Sequence, residues 1–222
     1  MNILIIGGLH GDETLGIDIV KLLRQKPIAN VVGIFGNPSA IATNTRYADV
    51  DLNRVFPGKA DGNLEENRAV QVMNIVNTGN FDVILDFHNT TAKDCNCSFV
   101  GEDCQDSLFG VSQFLGLNNV VVADYNCINK FVPTCLSVEV SYSSELCKAG
   151  YWYYFIAKLS VLSLENLKND AVQKYKICGK LGTKPDFECI NWQELLTDKT
   201  KKTIFVGEKS YTDKCCVLVE RL

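Results

Sequence analysis

At 222 residues, with 46% apolar and 22% charged side chains, the chain has the size and composition of one globular core with room for a small addition. A formal net charge of −4, a pI near 5.3 and the lack of any basic run interleaved with aromatics exclude a general nucleic-acid binder. The opening apolar run, Ile3 to Ile6, lacks the cationic flank and the length of a secretory leader, and no apolar stretch is long enough for a bilayer; the expectation is a cytoplasmic protein with no membrane partner.

Ile3 to Ile6 reads as a buried strand, broken by Gly7-Gly8, with His10 and Glu13 in the loop that follows. Leu15, Ile19, Leu22 and Leu23 then recur at helical spacing until Pro27. Val31 to Phe35 is the next strand, parallel to the first by right-handed crossover. Residues 36–62 are rich in Asn, Asp, Arg, Gly and Pro without periodicity, and a loop this long inside a compact unit is usually functional.

Asn63 with Glu66 has the form of a capping box, and Val70, Met73 and Val76 continue a helical stripe. Phe81 to Phe87 is a strand with His88 at its end; Cys97 to Val100, Asn119 to Ala123 and Leu136 to Val140 are further strands, the last carrying Glu139. An amphipathic segment spans Asp106 to Leu115, and a long helix spans residues 146–168. From about Lys174 short strand-like runs predict a small β-rich addition. The ten cysteines lack paired Cys-x-x-Cys spacing, so reduced, buried thiols are expected over a thiolate metal site.

His10 and His88 are the two histidines of the chain, and each follows an apolar strand of a βαβ pattern. Both should therefore emerge at one edge of the sheet, together with Glu13. Two His and one carboxylate, completed by water, form the ligand set of zinc hydrolases. Asp86, two residues before His88 and on the same side of the strand, is placed to orient it.

Four motifs, Gly7-Gly-Leu-His-Gly-Asp-Glu13, Asn44-Thr-Arg-Tyr47, Asp51-Leu-Asn-Arg54 and Asp86-Phe-His-Asn-Thr-Thr91, together resemble the aspartoacylase/succinylglutamate desuccinylase family of the zinc carboxypeptidase-like superfamily. Val138-Glu139-Val140 and Phe205-Val-Gly-Glu-Lys-Ser-Tyr211 continue the match in order. The resemblance implies one Zn²⁺ per chain on His10, Glu13 and His88, with Glu139 as general base. It implies Arg46 to polarise the scissile carbonyl, Asn53 and Arg54 to grip the substrate carboxylate, and Tyr125 and Tyr211 as substrate contacts. Where acid-specific members carry an arginine ten residues before the base, this chain has Asn129 followed by Lys130.

The expected fold is a three-layer α/β/α domain of the zinc-carboxypeptidase type over residues 1–170, with a mixed, mostly parallel sheet. Residues 171–222 would add a small β-rich domain covering the active site. The expected function is zinc-dependent hydrolysis of a small N-acyl amino acid. A carboxypeptidase acting on short peptides or cell-wall fragments, and a metal-retaining binding protein without turnover, are the alternatives. A homo-oligomer stays open.

Overall fold

The computed structural model describes residues 1–182, 190–195, 197–210 and 214–222. Nine strands form one mixed sheet: β1 (Ile3–Gly7), β2 (Val31–Phe35), β3 (Val83–Thr90), β4 (Cys97–Gly101), β5 (Asn119–Ala123), β6 (Cys135–Ser141), β7 (Gln173–Leu181), β8 (Lys201–Ile204) and β9 (Cys216–Arg221). Their order across the sheet is β2-β1-β3-β6-β4-β5-β7-β9-β8. The first four strands in that order run parallel, β4 is antiparallel to β6, β5 and β7 run parallel to β4, and β7-β9-β8 is antiparallel throughout.

Alternation along the strands sorts side chains to two faces. Ile3 and Ile5 of β1, with Val83, Leu85 and Phe87 of β3, pack on one face against α1 (Thr14–Gln25), α4 (Ser107–Phe114) and α6 (Ala149–Ser160). Leu4 and Ile6 of β1 and Ile84 of β3 pack on the other, against α3 (Leu64–Thr78) and α5 (Ile128–Phe131). This is the expected helix–sheet–helix layering. Asp86 and His88 share the second face of β3, and Ser137 and Glu139 share that of β6, so four polar side chains gather there beyond the apolar rows.

Several elements differ from expectation. The loop over residues 36–62 holds α2 (Pro38–Thr43), started by Asn37, whose side chain accepts from Ala40 N with Pro38 in the first turn, and a 3-10 turn at Leu52–Arg54. The buried stripe of α3 runs Glu65, Ala69, Val72 and Val76, one position off the Val70–Met73 reading, with the Asn63/Glu66 capping box in place. The last helix stops at Ser160; Val161 is 82% exposed, and a separate 3-10 turn at Leu164–Asn166 follows, with Leu164 and Leu167 packed against the core. β3 runs on to Thr90, so His88 lies inside the strand. The β-rich tail joins the sheet through the β5–β7 pair, and its own core groups Tyr175, Ile204, Val217 and Val219 with Phe99 and Val121. Among the described residues no helix is long and apolar enough to cross a membrane.

Candidate metal centre and cleft

The loop after β1 is set by one left-handed turn and one close approach of backbone. Gly8 has φ +75, a left-handed turn that glycine adopts without penalty. A Cβ on Gly7 would lie 2.1 Å from the carbonyl oxygen of Gly16, so α1 can rest directly on the end of β1. This brings His10 and Glu13 over the carboxyl end of the sheet, with Glu13 capping α1. The first turn of that helix gets a cap from across the sheet: Asn89 Oδ1 accepts from Leu15 N at 2.9 Å.

Three sequence-predicted residues meet here. His10 Nδ1 lies 2.7 Å from Glu13 Oε1 and His88 Nδ1 lies 2.8 Å from Glu13 Oε2, with the two rings 5.0 Å apart. Donor atoms from all three lie within 4.8 Å of one another, the sole such grouping of His, Cys, Asp or Glu among the described residues. The outward nitrogens each face a further carboxylate: His10 Nε2 is 3.0 Å from Asp51 Oδ1, and His88 Nε2 is 2.8 Å from Asp86 Oδ2.

The donor chemistry fits a metal. An ionised carboxylate only accepts hydrogen bonds, so Asp51 and Asp86 each require a hydrogen on the Nε2 they touch. In neutral imidazoles that leaves both Nδ1 lone pairs aimed at the two oxygens of Glu13. Lone pairs opposed in this way need a cation between them, either protons or one divalent ion, and N₂O is a zinc donor set. Without the ion the charges lean the same way. Burial opposes the Glu13 carboxylate, yet the two imidazoles hold it well below its ordinary range. Burial opposes the His88 cation too, but Asp86 and then Glu13 raise its pKa well above the usual value. His10 is raised by Glu13 and Asp51 against the same penalty.

Around this centre opens a cleft. Glu139 pairs in register with His88 and lines it. Burial pushes the Glu139 carboxyl well above the glutamate range, Glu13 adds to the rise, and His88 opposes it. Arg46 donates to Glu13 Oε1 at 3.3 Å and to Asp51 Oδ2 at 3.2 Å. Arg54 lies 4.6 Å from the centroid of the Tyr125 ring and donates to Asn53 O, while Asn53 Oδ1 accepts from Ile128 N. Arg46, Asn53, Arg54 and Tyr125 all line the cleft, with Phe205, Glu208 and Ser210 from the tail. Tyr211 lies outside the described residues.

The sequence reading gave no role to Glu65, which is fully buried. Its carboxylate accepts from three successive backbone N–H groups, Ala48 at 2.7 Å, Asp49 at 3.0 Å and Val50 at 3.3 Å, and from Asn37 Nδ2 at 3.1 Å. The loop that carries Arg46, Asp51, Asn53 and Arg54 is thus wrapped around a fixed anion. Burial works against that charge, but the amide bonds outweigh it and hold the Glu65 pKa below the ordinary value. The signal was legible: an acidic residue in register with the apolar stripe of α3. Asp51, quoted only as part of a motif, was also missed as the partner of His10.

The chain is similar in sequence and in fold to known proteins. Residues 1–138 match the succinylglutamate desuccinylase/aspartoacylase catalytic domain family. A probable aspartoacylase of Nostoc sp. is 37% identical over 103 residues, 40% of this chain and 35% of that protein. The N-acyl-aromatic-L-amino acid amidohydrolase (carboxylate-forming) of Rattus norvegicus is 31% identical over 114 residues, 44% of this chain and 36% of that one. The alignments span about a third of the length of those two relatives. Among solved structures, succinylglutamate desuccinylase from Chromobacterium violaceum superposes with a TM-score of 0.78 at 16% identity, covering 100% of this chain and 84% of that one. Murine aminoacylase 3 gives 0.73 at 17% identity, covering 100% and 95%. At such identities the two structures speak for the fold.

Proposed function

Since the chain belongs to the succinylglutamate desuccinylase/aspartoacylase family, we propose that it hydrolyses the amide bond of an N-acyl amino acid at a metal centre on His10, Glu13 and His88. The observation that carries this reading is the convergence of both Nδ1 atoms on one carboxylate, with Glu139 paired beside His88. The ion we assign is Zn²⁺, one per chain, although the same donors accept cobalt, manganese or iron. Zn²⁺ on such ligands lowers the pKa of a coordinated water to about 7 and so supplies a nucleophile at neutral pH.

We assign the side-chain roles from the resemblance, supported by where each residue sits. Glu139 takes the proton of the attacking water and passes it to the departing nitrogen; a carboxyl with a raised pKa holds that proton between the two steps. Arg46, beside Glu13, stabilises charge growing on the scissile carbonyl oxygen. Arg54 and Asn53 bind the carboxylate of the amino-acid portion, a task suited to a planar guanidinium. Tyr125, and Tyr211 on the resemblance alone, complete the substrate contacts. We place the catalytic unit in residues 1–170 and propose that residues 171–222 cover the cleft, a reading supported by Phe205, Glu208 and Ser210 on its lining.

The test is release of free amine from N-acetyl, N-formyl and N-succinyl amino acids by the zinc-loaded chain, beside Glu139→Gln. Turnover that the substitution abolishes is the expected result. Turnover confined to short peptides would move the assignment to a carboxypeptidase, and bound metal without any turnover would leave a binding protein.

A further inference from the structure

Resting on the amidohydrolase reading, we propose that the cleft selects N-acyl amino acids with one carboxylate and a neutral, carbon-rich side chain, and turns away those with a second carboxylate. The supply of cations argues for it. Among the described lining residues Arg46 and Arg54 are the arginines, and no lysine joins them. Arg46 commits one terminal nitrogen to Glu13 and the other to Asp51. Arg54, stacked on Tyr125, donates to Asn53 O and has no other hydrogen-bond partner among the described residues, which leaves it for a single carboxylate, the one every amino acid carries.

Asn129 and Lys130 are the residues in reach by sequence of a second carboxylate, and neither is available. Asn129 is buried and gives its amide hydrogens to Phe99 O at 3.1 Å and Cys135 O at 3.0 Å, while its oxygen accepts from Ser137 Oγ at 2.8 Å. Its hydrogen-bonding capacity as a donor is therefore spent on the fold. Lys130 is exposed, and its Nζ donates to Asp124 O and Asn126 Oδ1, both at 3.3 Å.

Carbon takes the place that charge would need. The rings of Phe99 and Phe205 stack with centroids 5.8 Å apart and 8° between their planes, and both line the cleft. Phe205 holds φ +55, a left-handed conformation unfavourable to a bulky aromatic residue. Its N–H is fixed on Cys95 Sγ at 3.3 Å. Strain of this kind persists where surrounding structure demands it, and here it accompanies an aromatic ring on the lining of the cleft. The carboxylate of Glu208 also lines the space. A second carboxylate would lose its hydration among phenyl rings and meet like charge, whereas a ring or branched chain would bury carbon.

The experiment compares kcat/KM for N-acetyl-L-phenylalanine, N-acetyl-L-leucine and N-acetyl-L-aspartate on the metal-loaded full chain. Calorimetry of the free amino acids phenylalanine, leucine and aspartate runs beside it. The aspartate compound should fall at least about 100-fold below the neutral ones, and free aspartate should bind more weakly in the same order. Equal or better use of aspartate overturns the proposal. If no N-acyl amino acid turns over, the hydrolase reading fails instead, and the calorimetric order still judges the subsite. Phe205→Arg, at a half-buried position, brings a guanidinium to the wall and should narrow the aspartate deficit at least about tenfold; an unchanged ratio in a folded variant would also overturn it.

Discussion

A carboxylate that can only accept hydrogen bonds dictates the tautomer of the histidine it touches, and Asp86 does this to His88 from a fully buried position. Ser137 Oγ lies 3.0 Å from the same oxygen and shares its single hydrogen between it and Asn129 Oδ1, while the other oxygen of Asp86 has no hydrogen-bond partner among the described residues. Asp86→Asn keeps the shape but loses the charge and the demand for Nε2–H. Zinc affinity should fall about 10–100-fold, read by competition with a chromogenic chelator. Unchanged affinity would remove Asp86 from the centre. Glu139→Gln should behave in the opposite way, keeping one zinc per chain while kcat/KM drops by about 10²–10⁴. Zinc itself should stabilise the fold, because it replaces two imidazole–carboxylate contacts in a buried site. At 100 times its Kd the gain is about 2.7 kcal/mol, visible as a melting temperature that falls on adding a chelator.

One helix and one loop show how elements hold the centre. α3 contributes apolar Ala69, Val72 and Val76 to the core, and in the same stripe it presents Glu65 to the backbone of residues 48–50. The loop is positioned by this anion together with Leu52 and Phe56, which pack in the core beside α3. Glu65→Gln keeps the volume but turns an amide N–H₂ toward backbone N–H groups. We expect a loss of about 1–3 kcal/mol in urea unfolding at pH 7, with faster hydrogen exchange at Ala48, Asp49 and Val50. The sign with pH follows from the depressed pKa. The contribution is complete above the unfolded glutamate value and fades as pH falls through the folded one, so the gap between wild type and variant should shrink between about pH 5 and pH 3. A gap that widens in acid would contradict the cradle.

At the scale of the molecule the C-terminal strands complete the sheet, and the segment after β8 adds Phe205, Glu208 and Ser210 to the cleft lining. β5 pairs with β7 over Asn119–Val122, and Phe99, Val121 and Ala123 share a core with Tyr175, Val217 and Val219. A chain ending at residue 170 would expose that core and leave β5 as an unpaired edge, a template for aggregation. Such a truncation should lose its cooperative melt and precipitate, and a soluble fragment with a normal melt would show that the tail is a separate unit.

Local patterns made the layers legible. The continuous apolar run Ile3–Ile6, the glycine pair Gly7-Gly8 at its end and the Asn63/Glu66 box follow from covalent geometry and short-range hydrogen bonds, which sequence encodes directly. The His10, Glu13 and His88 grouping was legible for the same reason, since two strand ends on one sheet edge leave histidines little freedom to part. Other features depended on residues far apart in the chain. Asn89 capping α1, Glu65 holding residues 48–50 and Asn129 spending its amide on Phe99 and Cys135 bridge 74, 15–17 and 6–30 positions. Whether a polar side chain faces a substrate or is consumed by backbone depends on which neighbours the packed sheet delivers, and tertiary structure alone decided that.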